Sequence, residues 1–423
     1  MFAATILSVT LQSFATQGID PSLASRFFQE AEWASKDDNG KLWGKKLYGP
    51  TLLVDRYNGD AIGNQPDKDG NLKAHGGVFV GKVPNSFAAA NTAKEWAGVK
   101  WSVILWPLPT TTTARTSLIM HESWHRIQDD IGLKSTMNDN DHLDSKDGRT
   151  WLLLEYRALA KALPALGDER KNALQDALTF RQYRRRFFPS AAATEDRMEV
   201  HEGLAEYTGL TCSGMSNEEA RFFLASRLKL NAHKDSLTYS FAYETGAAYG
   251  LMLDQYSETW RKGLTTSSSL SSMLAKLAKV GTGKPTPQEA LNRAKAYDGE
   301  AIIKAEITRE VNRKKKETEY RRLLVDGPRI HVPFGGNFSF NPNSVFPIKG
   351  IGIVYTGCKL TGDWGTLQVD GPVLISPDYQ DAWITAGPAS DPTKGQSWKL
   401  MLSKNWKIVT GRHSGDFDLV KGT

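Results

Sequence analysis

Ile119-Met120-His121-Glu122-Ser123-Trp124-His125-Arg126 contains the pattern H-E-x-x-H. In an α-helix, residues four apart are rotated by about 400° and stack on one face. His121 and His125 can then reach one metal ion, while Glu122 points toward the water such an ion would hold. Two neutral nitrogens, an open coordination position and a carboxylate base are what metal-assisted hydrolysis requires. The flanks suit a helix. Pro109 and the threonines 110–113 offer a loop and an N-cap, and nothing from Ala114 to Ile131 breaks a helix before Gly132. The alternative is an amphipathic helix whose two histidines merely line its polar face.

The rest of the chain sets bounds. Its 423 residues are enough for two or three domains, and 40% hydrophobic with 24% charged residues is ordinary for a globular protein. Aromatic content of 10%, including 12 Trp, argues against long disordered stretches. The net charge of +6 is spread in mixed-sign stretches, and no nucleic-acid-binding signature accompanies it, so no nucleic-acid partner is expected. Cys212 and Cys358 lie far apart, outside any metal-binding spacing; they form either one disulfide or two free thiols. No apolar run is long enough to cross a membrane. Phe2 to Leu11 is a short apolar run, followed by the small residues of Ser13-Phe14-Ala15. Residues 1–15 are therefore a candidate signal peptide, although the usual positive charge ahead of the run is missing. A secreted or periplasmic location is expected on that basis, and a cytoplasmic one otherwise.

The expected fold class is α+β. Pro21 to Ser35 reads as a helix capped by Asp20. Residues 16–108 otherwise look β-rich, with apolar runs at 52–54, 77–80 and 101–105. Asn58-Gly59 and Asp69-Gly70, with Asn39-Gly40 ahead of them, read as hairpin turns. The run at 101–105, just ahead of the motif helix, is a candidate wall for a substrate cleft. Residues 109–325 read as a helical domain that builds the catalytic unit with the β-rich part. From about 326 to 423, short β-prone runs between Gly, Pro and Asp suggest a small sandwich or barrel. The cluster Arg181, Arg184, Arg185 and Arg186 reads as a solvated or carboxylate-paired helix face. Glu155, among apolar neighbours, must pair with an arginine or face the site. The acidic stretch from Asp139 to Asp147 fits no EF-hand register and reads as a solvated loop.

A third metal ligand is sought in Glu199-Val200-His201-Glu202-Gly203-Leu204-Ala205-Glu206-Tyr207. Glu202 and Glu206 share a helix face, so one can bind metal while the other orients a ligand histidine. His201 competes for the ligand position, and Glu199 is a weaker candidate.

On these residues the chain resembles the gluzincins, the thermolysin-like and aminopeptidase-N-like zinc metallopeptidases. Glu202-Gly203-Leu204-Ala205 matches the E-G-x-A segment of the aminopeptidase-N branch. Phe241-Ala242-Tyr243-Glu244-Thr245-Gly246 is similar to its Y-E-x-G segment and follows in the same order. The resemblance implies one zinc held by His121, His125 and Glu202, Glu122 as general base, Tyr243 as oxyanion donor, and a peptide or protein substrate. It covers three short motifs. The spacer from His125 to Glu202 is far longer than in aminopeptidase N, and the G-A-M-E-N strand that holds a free substrate amine is absent. The rival reading is a non-catalytic surface or binding protein on the same scaffold, its ligand taken by the C-terminal β domain. Oligomeric state is not legible.

Overall fold

In the computed structural model, residues 18–134, 139–281, 283–340, 345–388 and 390–422 are described. The candidate signal peptide lies outside them. The chain is mixed α/β and divides into two compact units, the first ending at Ile303 and the second beginning at Lys304.

In the first unit, α1 (Pro21–Asp38) opens at Asp20, whose carboxylate accepts from Ser22 N–H, and ends at Asn39 in the left-handed conformation. Asn39-Gly40 is thus a helix C-cap and not a hairpin turn; residues that tolerate positive φ serve both purposes. A six-stranded sheet follows, built from β1 (Thr51–Val54), β2 (Asp60–Gly63), β3 (Lys73–His75), β4 (Val78–Lys82), β5 (Thr92–Trp96) and β6 (Val99–Leu105), in the order β3-β4-β2-β1-β6-β5. Only β1 and β6 pair in parallel. Asn58-Gly59 does close the β1–β2 hairpin. Asp69-Gly70 does not join paired strands, because β3 pairs with β4 and not with β2. Its loop is instead wound around Asp67, whose carboxylate accepts from the backbone of Asp69, Asn71 and Leu72. Side chains alternate across the sheet. Leu53, Ile62 and Ile104 join the helical core, whereas Leu52, Val54, Trp101 and Val103 fill a second core on the opposite face.

The run at 101–105 lies in β6, which leads into α2 (Thr112–Gln128) but is an interior strand; the edge beside it is β5. Thr111 caps α2, its hydroxyl accepting from Ala114 N–H. Helices α3 (Lys146–Ala162), α4 (Gly167–Arg185), α5 (Ala191–Met198), α6 (Leu204–Thr211), α7 (Asn217–Asn231) and α8 (Phe241–Leu253) follow. Then come α9 (Leu270–Ala278), α10 (Pro287–Ala294) and α11 (Gly299–Arg321).

A charged cluster lies inside this helical body. Arg181 and Arg184 are fully buried and both bind Glu155, at 2.9 and 2.6 Å. Arg181 also holds Glu199 at 2.7 Å, and Arg184 holds Glu195 at 2.9 Å. Tyr249 donates to Glu155 and His142 meets Glu195. Arg181 and Arg184 are therefore carboxylate-paired and interior, and Arg185 is paired with Glu195 and Asp196, whereas Arg186 is exposed and donates to the Pro285 carbonyl; Glu155 belongs to the buried arginines and not to a metal. Within the acidic stretch, Asp141–Asp144 forms a short 3-10 turn and Asp144 accepts from Leu237 N–H.

The second unit starts inside α11, earlier than the composition change near 326. Tyr320 and Leu324 pack there with Ile348, Val354 and Leu374 from the strands, so the helix end belongs to that core. Its strands form one continuous sheet in which β7 (Arg329–Pro333), β8 (Asn337–Phe340) and β9 (Val345–Ile348) precede two long strands, β10 (Gly352–Gly362) and β11 (Gly365–Ile375). The β-prone segments 365–369 and 373–375 both lie in β11. β11 changes partner along its length, pairing with Trp398–Leu402 at one end and Asp381–Thr385 at the other.

Cys212 and Cys358 are free, buried thiols, each in the core of its own unit, so the disulfide alternative falls. Burial pushes both up to about 12, which makes them poor nucleophiles.

Candidate metal centre

Three elements converge on the site. α2 supplies His121, Glu122 and His125, and the oxygen of Glu122's own carbonyl accepts from the Ser102 hydroxyl on β6 at 3.4 Å. The second element is not regular α-helix. Between α5 and α6, Glu199–Gly203 forms a π-helical turn in which Leu204 N–H reaches back to Glu199 O. Such widened turns recur at functional sites because the extra residue re-aims the side chains around it. Here Glu199 faces Arg181 while Glu202 faces the histidines. α8 and the turn before it supply Tyr243 and Tyr239.

His121, His125 and Glu202 form a buried group that can hold a metal ion, the only such group found among the described residues. His121 Nε2 and His125 Nε2 are 3.3 Å apart, and Glu202 Oε2 lies 3.5 and 3.4 Å from them. The far nitrogens are fixed. His121 Nδ1 meets Glu206 Oε2 at 3.1 Å, and His125 Nδ1 meets Gln128 Oε1 at 3.0 Å. A carboxylate and an amide oxygen can only accept, so each Nδ1 carries a proton and each Nε2, turned toward Glu202, is the nitrogen left for a metal. Glu206 is itself held by Arg227, which also binds Glu244 at 2.9 Å and the Tyr243 carbonyl at 3.1 Å. Glu202 thus faces the two Nε2 atoms while Glu206 meets the far nitrogen of His121. Glu199 is excluded as a ligand by its pairing with Arg181. His201 lies beside the site, its Nε2 at 3.3 Å from Glu202 Oε1.

Electrostatics follow from this crowding. Burial disfavours a charged His121, but its contacts with the carboxylates of Glu202 and Glu206 prevail and raise it to about 10. Glu206 is buried too, yet Arg227 and His121 bring it down to about 2. Glu202 is likewise held well below the usual carboxylate range by both histidines, against the cost of burial. Glu122 goes the other way: burial raises it, and its Oε2 is buried with no hydrogen-bond partner. Glu202 Oε2 is the other unpartnered buried oxygen here. One is aimed between two imidazoles, and the other belongs to the motif helix beside them.

Tyr243 stacks on the His121 ring, with centroids 5.4 Å apart and planes at 10°. Burial first, and then the charge of Glu202, keep its phenol neutral far above neutral pH. Tyr239, which the sequence reading passed over, donates its hydroxyl to Glu202 Oε1. Its signal was present in the spacing, four residues before Tyr243. Comparison with known proteins adds nothing to these residues: no family model matches the sequence, and no match is found among curated proteins or solved structures.

Proposed function

We propose that the chain is a zinc-dependent hydrolase that cleaves peptide bonds, with Glu122 as general base. The observation that carries this reading is the ligand triangle. Two ligands about 2.0–2.1 Å from a tetrahedral zinc stand roughly 3.3–3.4 Å apart, and the three edges here are 3.3, 3.4 and 3.5 Å. Two imidazoles with a carboxylate are also the donor set of zinc sites that keep a fourth position open for chemistry.

When bound, zinc lowers the pKa of a water to about 7 and polarises a carbonyl. The protein's own groups do the rest. Glu122, raised by burial and with its Oε2 unbonded, takes a proton from the attacking water as the water oxygen bonds to the carbonyl carbon. It returns that proton to the nitrogen as the carbon–nitrogen bond breaks. Tyr243, held neutral, donates to the oxygen on which negative charge develops. The free edge of β5, antiparallel to the strand that leads into α2, offers main-chain groups to which an extended peptide can add. This supports a peptide substrate over a smaller one. Secretion or a periplasmic location remains the companion proposal, resting on residues 1–15; no helix among the described residues is long and apolar enough to cross a membrane.

The test is hydrolysis of a mixed peptide library by the wild type, by the wild type with chelator, and by Glu122→Gln. The expected result is cleavage abolished by the chelator and reduced by a factor of about 10² or more in the variant, which keeps its metal. A variant as active as wild type sinks the base assignment. A metal-replete, folded wild type that cleaves nothing leaves the binding-protein reading in its place.

A further inference from the structure

Gln128 holds one nitrogen of His125 and His201 has no role assigned so far, yet both are buried against the metal group: Gln128 is 2% exposed and His201 9%. Gln128 Oε1 is 3.0 Å from His125 Nδ1, and its Nε2 is 3.1 Å from His201 Nδ1. The other nitrogen of His201, Nε2, is 3.3 Å from Glu202 Oε1. The chain of contacts therefore starts at one metal ligand and ends at another.

Its proton order can be read from the ends. At the His125 end, a bare Nε2 facing the metal position requires the proton on Nδ1, which donates to Gln128 Oε1. At the Glu202 end, His201 Nε2 faces an ionised carboxylate, which only accepts, at an ion-pair distance of 3.3 Å; a proton on Nε2 leaves Nδ1 bare. The Gln128 amide oxygen also lies 3.2 Å from that nitrogen. With Nδ1 bare it receives the Gln128 N–H; with a proton there it would donate to the amide oxygen instead, so the two tautomers give opposite bonds. A glutamine is the side chain that can accept at one end and donate at the other.

On the zinc reading above, we infer that Gln128 and His201 form a positioning relay that sets the two remaining ligand orientations at once. It holds His125 with Nε2 toward the metal. It also occupies Glu202 Oε1, together with Tyr239, so that Glu202 binds through Oε2 alone. Glu202 is then a one-oxygen ligand, and the fourth position stays open instead of being filled by the second carboxylate oxygen. The sequence signal is slight: Gln128 follows His125 by three residues, on the next turn of the same helix.

The experiment is long-range proton–nitrogen NMR of the histidine side chains in zinc-loaded wild type, Gln128→Glu and Gln128→Met. It is paired with zinc affinity measured by chelator competition. In wild type, His125 should carry its proton on Nδ1 and His201 on Nε2, opposite tautomers. Gln128→Glu has no N–H to give, so His201 should switch to Nδ1–H. Gln128→Met, similar in size with neither group, should weaken zinc by about tenfold or more. The wild-type spectrum needs no variant to fold, and a His201 proton on Nδ1 there overturns the relay while leaving the zinc site standing. An unswitched His201 in Gln128→Glu, or unchanged affinity in folded Gln128→Met, does the same. A wild type that binds no zinc overturns the relay and the hydrolase reading together.

Discussion

Gly203 and Gly246 touch backbone to backbone: a Cβ built on either one would lie 2.6 Å from the Cα of the other. These are the glycines of the two segments that carry Glu202 and Tyr243. Their lack of side chains brings the π-helical turn and α8 close enough for the glutamate and the tyrosine to share a site. Gly209, one helical stretch on, does the same against the Ser117 carbonyl of α2.

Substituting alanine at either crossing glycine must push the helices apart. Gly203→Ala and Gly246→Ala should each cost about 1–3 kcal/mol of stability from overpacking, and weaken metal binding as the ligand triangle opens. Urea unfolding and a metal titration on the same samples check both. Wild-type stability in either variant would mean that the crossing is looser than the structure shows.

Removal of the carboxylate ligand separates binding from catalysis. Glu202→Ala should lose the metal, about one per chain in the wild type, by elemental analysis. Glu206→Gln should retain it with affinity lower by about 10- to 100-fold, because an amide oxygen orients His121 without the charge. Metal retained in full by Glu202→Ala would remove Glu202 from the ligand set.

Metal binding should depend steeply on pH. In the metal-free protein His121 is raised to about 10, so below that value a metal ion must displace a proton to reach Nε2. Affinity should rise by about tenfold per pH unit between 6 and 8, with close to one proton released on binding in calorimetry across two buffers. The metal-free fold follows the opposite sign. A raised histidine stabilises fully below its ordinary 6.5, and that contribution fades as pH climbs toward about 10. Glu206, lowered to about 2, stabilises above its ordinary 4.5 and loses that effect as pH falls toward 2. Metal affinity that is flat from pH 6 to 8 would contradict the proton assignment at His121.

The buried arginine–carboxylate cluster is a second point of acid sensitivity. Burial works against ionised Glu195, yet Arg184 and Arg185 hold it well below the usual range. Its stabilising effect is therefore present above about 4.5 and lost as pH falls further. Arg181→Met leaves the buried Glu155 and Glu199 each short of a partner, and should cost about 3–5 kcal/mol. Denaturant midpoints at pH 7 for the variant and from pH 6 to 3 for the wild type test this. A variant within 1 kcal/mol of wild type (on the order of an exposed pair) would place the cluster in water after all.

What could be read from the chain alone was local. H-E-x-x-H names a helix face because its ligands are four residues apart, and the cap at Thr111 and the breaker at Gly132 bound that helix without reference to anything distant. Strands β1, β4 and β6 were legible for the same reason, as short apolar runs between turn residues. Other features depended on which elements meet. Asn39-Gly40 and Asp69-Gly70 carry hairpin chemistry, but a turn residue tolerates positive φ whether it ends a helix or joins two strands. Glu155, Glu199, His201 and Glu202 were all candidates for one metal. Packing decided among them by giving the first two to Arg181 and the third to Gln128. Tyr239 and Gln128 carry only a spacing signal, four residues before Tyr243 and three after His125, which does not by itself mark a site residue. A ligand's near neighbours are set by helical geometry, which repeats every few residues. Its distant partners are set by how close two backbones can come, and at Gly203 and Gly246 only the folded chain reveals that distance.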